Sequence, residues 1–203
     1  MACAKIFCFT EPTPEQVDAF LAAQAALPVT YEGEGATRDA VALPAGYTVD
    51  RTRISLGYGR VVFERAVAAM RRWTMFAMPW LRLYYTDTPL EVGRVVAVVP
   101  WHFGFWSLNA CRIVYVVAEE RRFGFGYGTL PAHVESGEER FLIEWDAADD
   151  EVCYDILAFS RPAHPLAQLA CPVTRLFQKR FAADSRRAMV AAVKAADPAG
   201  SST

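Results

Sequence analysis

The chain has 203 residues, 53% of them apolar, so it can bury a sizeable core without a disulfide or a metal. Twenty-one basic and 23 acidic side chains leave a net charge of −2, and the pI is near 5.9. That balance argues against generic nucleic-acid binding, which usually needs a basic surface.

The length fits one domain, residues 1–203. The five cysteines, at 3, 8, 111, 153 and 171, are odd in number and form no CxxC pair, as expected of reduced, mostly buried thiols. The opening MACAKIFCFTEPTPE has no apolar signal core. The longest uncharged run, Val95 to Cys111, is shorter than the roughly 20 residues of a spanning helix. A cytoplasmic protein without a transmembrane segment is the expectation.

In chain order, residues 12–27 predict a helix capped by Thr13 and opened by Pro14. Residues 28–46 predict a loop, and 50–59 a strand with Thr52, Ile54 and Leu56 on one face. A second helix is predicted over 60–73, with Val62, Phe63, Ala66, Val67 and Met70 as its apolar stripe. From Trp80 to Phe159 the sequence alternates like strands, cut by turns at 118–122, 135–138 and 146–151. A helical period returns over 165–194, where Leu166, Leu169, Val173, Leu176, Phe177 and Phe181 form the apolar side and Pro172 kinks or divides the helix. Residues 195–203 predict a disordered tail. The economical architecture is α+β: one curved antiparallel sheet gripping a long C-terminal helix, with an added N-terminal helix; a closed barrel with peripheral helices uses the last apolar stripe less well.

FGFGYGTLP (123–131) has glycines at 124, 126 and 128. A dinucleotide loop needs GxGxxG between strand and helix, which this is not. At spacing two, Phe123, Phe125, Tyr127 and Thr129 share one face and the glycines the other. A two-residue turn at Ser136-Gly137 sets Gly128 against Trp145, and a turn centred on Glu120-Arg121 sets Gly126 against Tyr115. Those registers surround the glycine row with Ile113, Tyr115, Val117, Leu130, Ala132, Phe141, Ile143 and Trp145, which makes the glycine face the inner one. Three uses for the row follow: close approach of the last helix, strong bending of the sheet, or room for a ligand.

Glu139 is the carboxylate this register places on the apolar face; it is either a poised acid or the cap of a solvent-exposed rim. His133, Glu135 and Arg140 cluster on the other face, as a base with its orienting carboxylate or as a solvated patch. The three histidines lack metal-ligand spacing, and no GxSxG elbow occurs, so no metal, no cofactor and no identifiable catalytic residue is expected. Residues 175–194 carry Arg175, Lys179, Arg180, Arg186, Arg187 and Lys194 against Asp184; that face could touch anionic lipid or pair with the acidic turns.

LPAGY (43–47), GRVVFERA (59–66), NACRIVYVV (109–117), FGFGYGTLPAHVESGEERF (123–141), YDILAFSRP (154–162) and FAADS (181–185) together resemble the "domain of unknown function nineteen-ninety" family, over about residues 28–194. The resemblance implies a START and birch-allergen-like (SRPBCC) helix-grip fold with a deep pocket, in a superfamily whose members bind lipids, sterols or polyketides. It carries over no catalytic residue. The first expectation is a binding module for a small apolar or amphipathic molecule in a cavity between the sheet and the C-terminal helix, with Tyr115, Phe141, Trp145 and Tyr154 lining the pocket, Gly124, Gly126 and Gly128 giving it depth and Glu139 or a basic residue of the last helix orienting a polar end. The alternatives are an acid–base enzyme using Glu139 with Tyr115 or Tyr154, and an interaction protein using residues 175–194. Oligomeric state and ligand identity are not legible.

Overall fold

The computed structural model describes residues 6–163 and 171–195, with the backbone alone at 171–174. Helix α1, Pro14–Gln24, starts as its sequence dictates: Thr13 accepts from the Gln16 N–H, the Gln16 side chain accepts from the Thr13 N–H, and proline opens the first turn. Helix α2, Gly59–Arg71, buries Phe63, Ala66, Ala69 and Met70. Helix α3 is described over Cys171–Ala195, and Pro172, where a kink or division was expected, stands at the edge of the described residues. The expected helical residues 165–170 and the tail from 196 lie outside the described residues.

The strands are β1 (Phe7–Cys8), β2 (Thr48–Tyr58), β3 (Leu81–Tyr84), β4 (Val95–His102), β5 (Phe105–Ser107), β6 (Asn109–Ala118), β7 (Arg122–Thr129), β8 (Glu135–Trp145) and β9 (Glu151–Pro162). They form one antiparallel sheet in the order β1-β5-β4-β6-β7-β8-β9-β2, with β3 on β4. On its inner face Cys111, Ile113, Phe123, Phe125, Phe141, Ile143, Tyr154 and Ile156 pack beneath α2, α3 and the 3-10 turn Thr74–Phe76. On its outer face Ala97, Val99, Ala110, Leu130 and Ala132 pack against Val17 and Phe20 of α1. The curved sheet gripping a C-terminal helix is therefore the fold, with α1 as an added outer layer.

The predicted β6–β7 register holds where Tyr115 pairs with Gly126 and Ala118 with Phe123, but a bulge at Val114 shifts it beyond. The Ser136-Gly137 turn is wrong. Both residues are inside β8, the chain reverses over 130–134, and Gly128 pairs with Glu138 instead of Trp145. That displacement of seven positions is odd, so it exchanges faces. The row Phe123, Phe125, Tyr127 points into the core, and the glycine row lies on the outer face. There a Cβ on Gly126 would overlap the Tyr115 ring and one on Gly128 the Tyr31 ring, while one on Gly124 would strike the β8 backbone at Phe141. The glycines seat two tyrosines and one backbone crossing; the helix they were expected to approach is on the other side of the sheet.

The tyrosines arrive on the 28–47 segment and β6, and buried charge holds them. Glu138 accepts from Tyr31 Oη (2.7 Å), the Gly35 and Thr37 N–H groups (2.6 and 2.8 Å) and Thr37 Oγ1 (2.5 Å). Arg140 donates to the Thr37 and Arg38 carbonyls and to Asp155 (2.6 Å), which also accepts from Arg51 (2.8 Å). The GEER stretch of the motif thus fastens a loop across the outer face.

Candidate functional site

A cleft of about 350 Å³ opens between the inner face of the sheet and α3. Its floor is made of small residues: Gly137 and Ala158 sit between larger neighbours, with Ser160 beside them. Trp80, Phe177 and Phe181 wall it from the helix side. Across the strands Tyr127 pairs with Glu139, Glu139 with Ala158 and Ala158 with Asp50, so one row carries two carboxylates with alanine between them.

Glu139 accepts a 2.7 Å hydrogen bond from Tyr127 Oη on one carboxyl oxygen. Glu139 is partly buried and is one of the residues that line the cleft. Burial pushes its carboxyl up to about 7; the Tyr127 bond opposes that rise, and Glu135 and Asp50 add to it. Burial likewise raises the Tyr127 phenol well above its ordinary range, and Glu139 adds to that rise. Asp50 is held by Arg175 through two contacts (2.5 and 2.7 Å), and Glu135 accepts from Gln178 Nε2 (2.6 Å). Burial also raises the Glu135 carboxyl. No lysine or arginine among the described residues pairs with Glu139.

Both described histidines line the same cleft, and burial lowers each to about 4. His133 Nδ1 accepts from the Glu135 N–H (2.9 Å), so its proton is on Nε2. His102 shares a 2.9 Å hydrogen bond with Ser107 Oγ. Thr52 Oγ1, also on the lining, is buried without a hydrogen-bond partner among the described residues. No group of three or more His, Cys, Asp or Glu side chains among those residues is arranged to hold a metal.

Of the residues singled out from the sequence, Glu139 lines the cleft. Phe141 is core, stacked edge-on against Phe76 and Phe181. Tyr154 is core too, its hydroxyl 2.9 Å from Ser185 Oγ. Trp145 packs on Phe63, at the end of β8 near α2. Tyr115, Gly124, Gly126 and Gly128 are on the outer face, where Tyr115 Oη meets Thr37 Oγ1 at 2.7 Å. The expected neighbours His133 and Arg140 are on different elements and opposite sides, since Arg140 points outward to Asp155. Leu176, expected in the apolar stripe, is 64% exposed. Tyr127, Trp80, Ala158 and Gln178 were missed; alternation did place Tyr127 beside Phe125, but on a row taken to be the outer one.

A profile described as "Domain of unknown function (DUF1990)" matches residues 30–188. A UPF0548 protein of Dictyostelium discoideum is 37% identical over 207 aligned positions, covering 93% of this chain and 96% of that one. A UPF0548 protein of Deinococcus radiodurans is 39% identical over 197 positions, covering 92% and 98%. Among solved structures, a hypothetical protein of Helicobacter pylori, jhp0584, superposes with a TM-score of 0.51 at 14% identity, over 72% of this chain and 86% of its own. TTHA0849 from Thermus thermophilus gives 0.50 at 11%, over 74% and 99%. Those likenesses bear on the fold, whereas the profile match and the two relatives span most of the sequence: the chain belongs to the DUF1990 family.

Proposed function

We propose that the protein binds a small apolar or amphipathic molecule in the cleft, with Glu139 and Tyr127 holding its polar end. The observation that carries this reading is the pairing of a small-residue floor with a lining carboxyl group, Glu139, that has one hydrogen-bond partner and no cation among the described residues. Native mass spectrometry of freshly purified protein, followed by release and identification of bound molecules, tests it. A stoichiometric mass that disappears in Ala158→Leu, which fills the floor, supports binding there. A mass retained in that variant overturns it.

An acid–base enzyme is the second reading, favoured by the Glu139 carboxyl titrating near 7 without a cation. Its helper would be Tyr127, because Tyr115 lies on the opposite face and Tyr154 is bonded to Ser185. Contact of residues 175–194 with an anionic surface is the weakest reading: Arg175 is bound to Asp50, and Arg180 and Arg187 to Asp184. No described helix is long and apolar enough to cross a membrane. A cytoplasmic setting is proposed on the cysteine pattern.

A further inference from the structure

Buried carboxylates are held by cations or several hydrogen bonds, because an isolated buried charge is costly. The two faces of this sheet differ in that respect. On the outer face Glu138 has four donors and Asp155 two arginines. Facing the cleft, Asp50 has Arg175 and Glu135 has Gln178, but Glu139 has one phenol. The ionisable groups around Glu139 and the cleft are Tyr127 and Cys111 from β7 and β6, Glu135 and Glu138 from β8, Asp50 from β2, His102 from β4, His133 from the β7–β8 connection, and Lys179 and Arg186 from α3. Neither Lys179 nor Arg186 pairs with it, and Arg186 Nε donates to the Ala182 carbonyl (3.2 Å). What the Glu139 carboxyl itself lacks is a positive partner.

Resting on the cleft-binding reading above, we propose that the ligand is an amine, its ammonium group on Glu139 and its apolar part against Trp80, Phe177 and Phe181. The free carboxyl oxygen is the acceptor, the Tyr127 bond holds the carboxyl plane, and the aromatic walls suit the hydrocarbon body and the edge of a cation. Ala158, between Glu139 and Asp50, leaves room for the head group. Below neutrality the empty site holds Glu139 as the acid, so an arriving ammonium ion must displace its proton to solvent. Binding is then coupled to release of up to one proton, and that coupling ends once the carboxyl has ionised.

Calorimetric titration with phenethylamine, phenethyl alcohol and hydrocinnamate, of similar size and different charge, tests this. Phenethylamine should bind tightest, about tenfold tighter at about pH 8 than at about pH 6, while the alcohol's affinity is unchanged. At the lower pH its apparent enthalpy should differ between phosphate and Bis-Tris, which take up the released proton with different enthalpies. Glu139→Gln should bind amine and alcohol alike. Tyr127→Phe, which removes the bond opposing the raised pKa, should move the midpoint of the amine's pH dependence upward. Equal binding of amine and alcohol by the parent, or preference for hydrocinnamate, overturns the amine assignment and leaves the cleft reading standing. No binding of any of the three, or binding that Ala158→Leu leaves unchanged, overturns both.

Discussion

At Gly126 the space a side chain would fill is already occupied by the Tyr115 ring, whose hydroxyl is bonded to Thr37. The ring cannot swing aside without giving up that bond. Gly126→Ala, which would ordinarily strengthen a strand, should instead destabilise the fold by about 1–3 kcal/mol. In a Tyr115→Leu background, where the far edge of the ring is gone, the same substitution should cost less; the coupling is read from a double-mutant cycle in urea. Ligand occupancy should not change, since the position is on the far side of the sheet from the cleft. A loss of bound ligand with stability intact would return the glycine row to the cavity. The residue scale also shows what the sequence could deliver. Glu139, Phe141 and Ile143 share a face because they are on one strand, whatever that strand pairs with. The face of Gly126 depended on its partner strand, and there the inference failed.

The failure has a specific cause at the scale of the element. Ser136-Gly137 has turn composition but sits in β8, where Gly137 lies so close to β9 that a Cβ would strike the Phe159 carbonyl. Glycine here serves backbone approach, and the actual reversal, Leu130 to Val134, carries its turn proline at 131. The signals that were legible are local: the Thr13 cap with Pro14 after it, the α2 stripe and the turn before Arg122. A cavity between the sheet and the last helix was expected, but its lining was not legible, because the floor joins β8 and β9 while the wall comes from α3. The function of the GEER stretch was hidden for the same reason: Glu138 and Arg140 act on a segment about a hundred residues away. Glu138→Gln puts an amide donor among four donors and should cost about 2–4 kcal/mol. Hydrogen exchange at the Gly35 and Thr37 amides should quicken by more than exchange in α2, because the loop unfastens before the core opens. Equal acceleration everywhere would mean that Glu138 supports the sheet and not the loop.

For the whole molecule, the buried groups of the cleft shape stability against pH. Glu139 titrates near 7 when folded and near the ordinary 4.5 when unfolded. Between those values the folded chain keeps a proton the unfolded chain has released. The stability from the neutral acid is therefore complete below about pH 4.5 and lost as pH rises to about 7, up to about 3 kcal/mol. Glu135, also raised, acts in the same direction. The two histidines act oppositely. Each is lowered to about 4 from 6.5, so the stability they contribute is complete above about 6.5 and lost as pH falls through 4. Between about 6.5 and 7 nothing among these groups offsets Glu139. Glutamine mimics the neutral acid at every pH, so Glu139→Gln and the parent should melt together at about pH 4 and separate by about 5 °C or more at about pH 8, the variant higher. A constant difference across that range would mean that Glu139 ionises as an exposed carboxyl does, and the case for a missing cation would go with it. Saturating phenethylamine supplies that cation without mutation: it should raise the parent's melting temperature more at pH 8 than at pH 6 and shift the variant by a smaller amount that is the same at both.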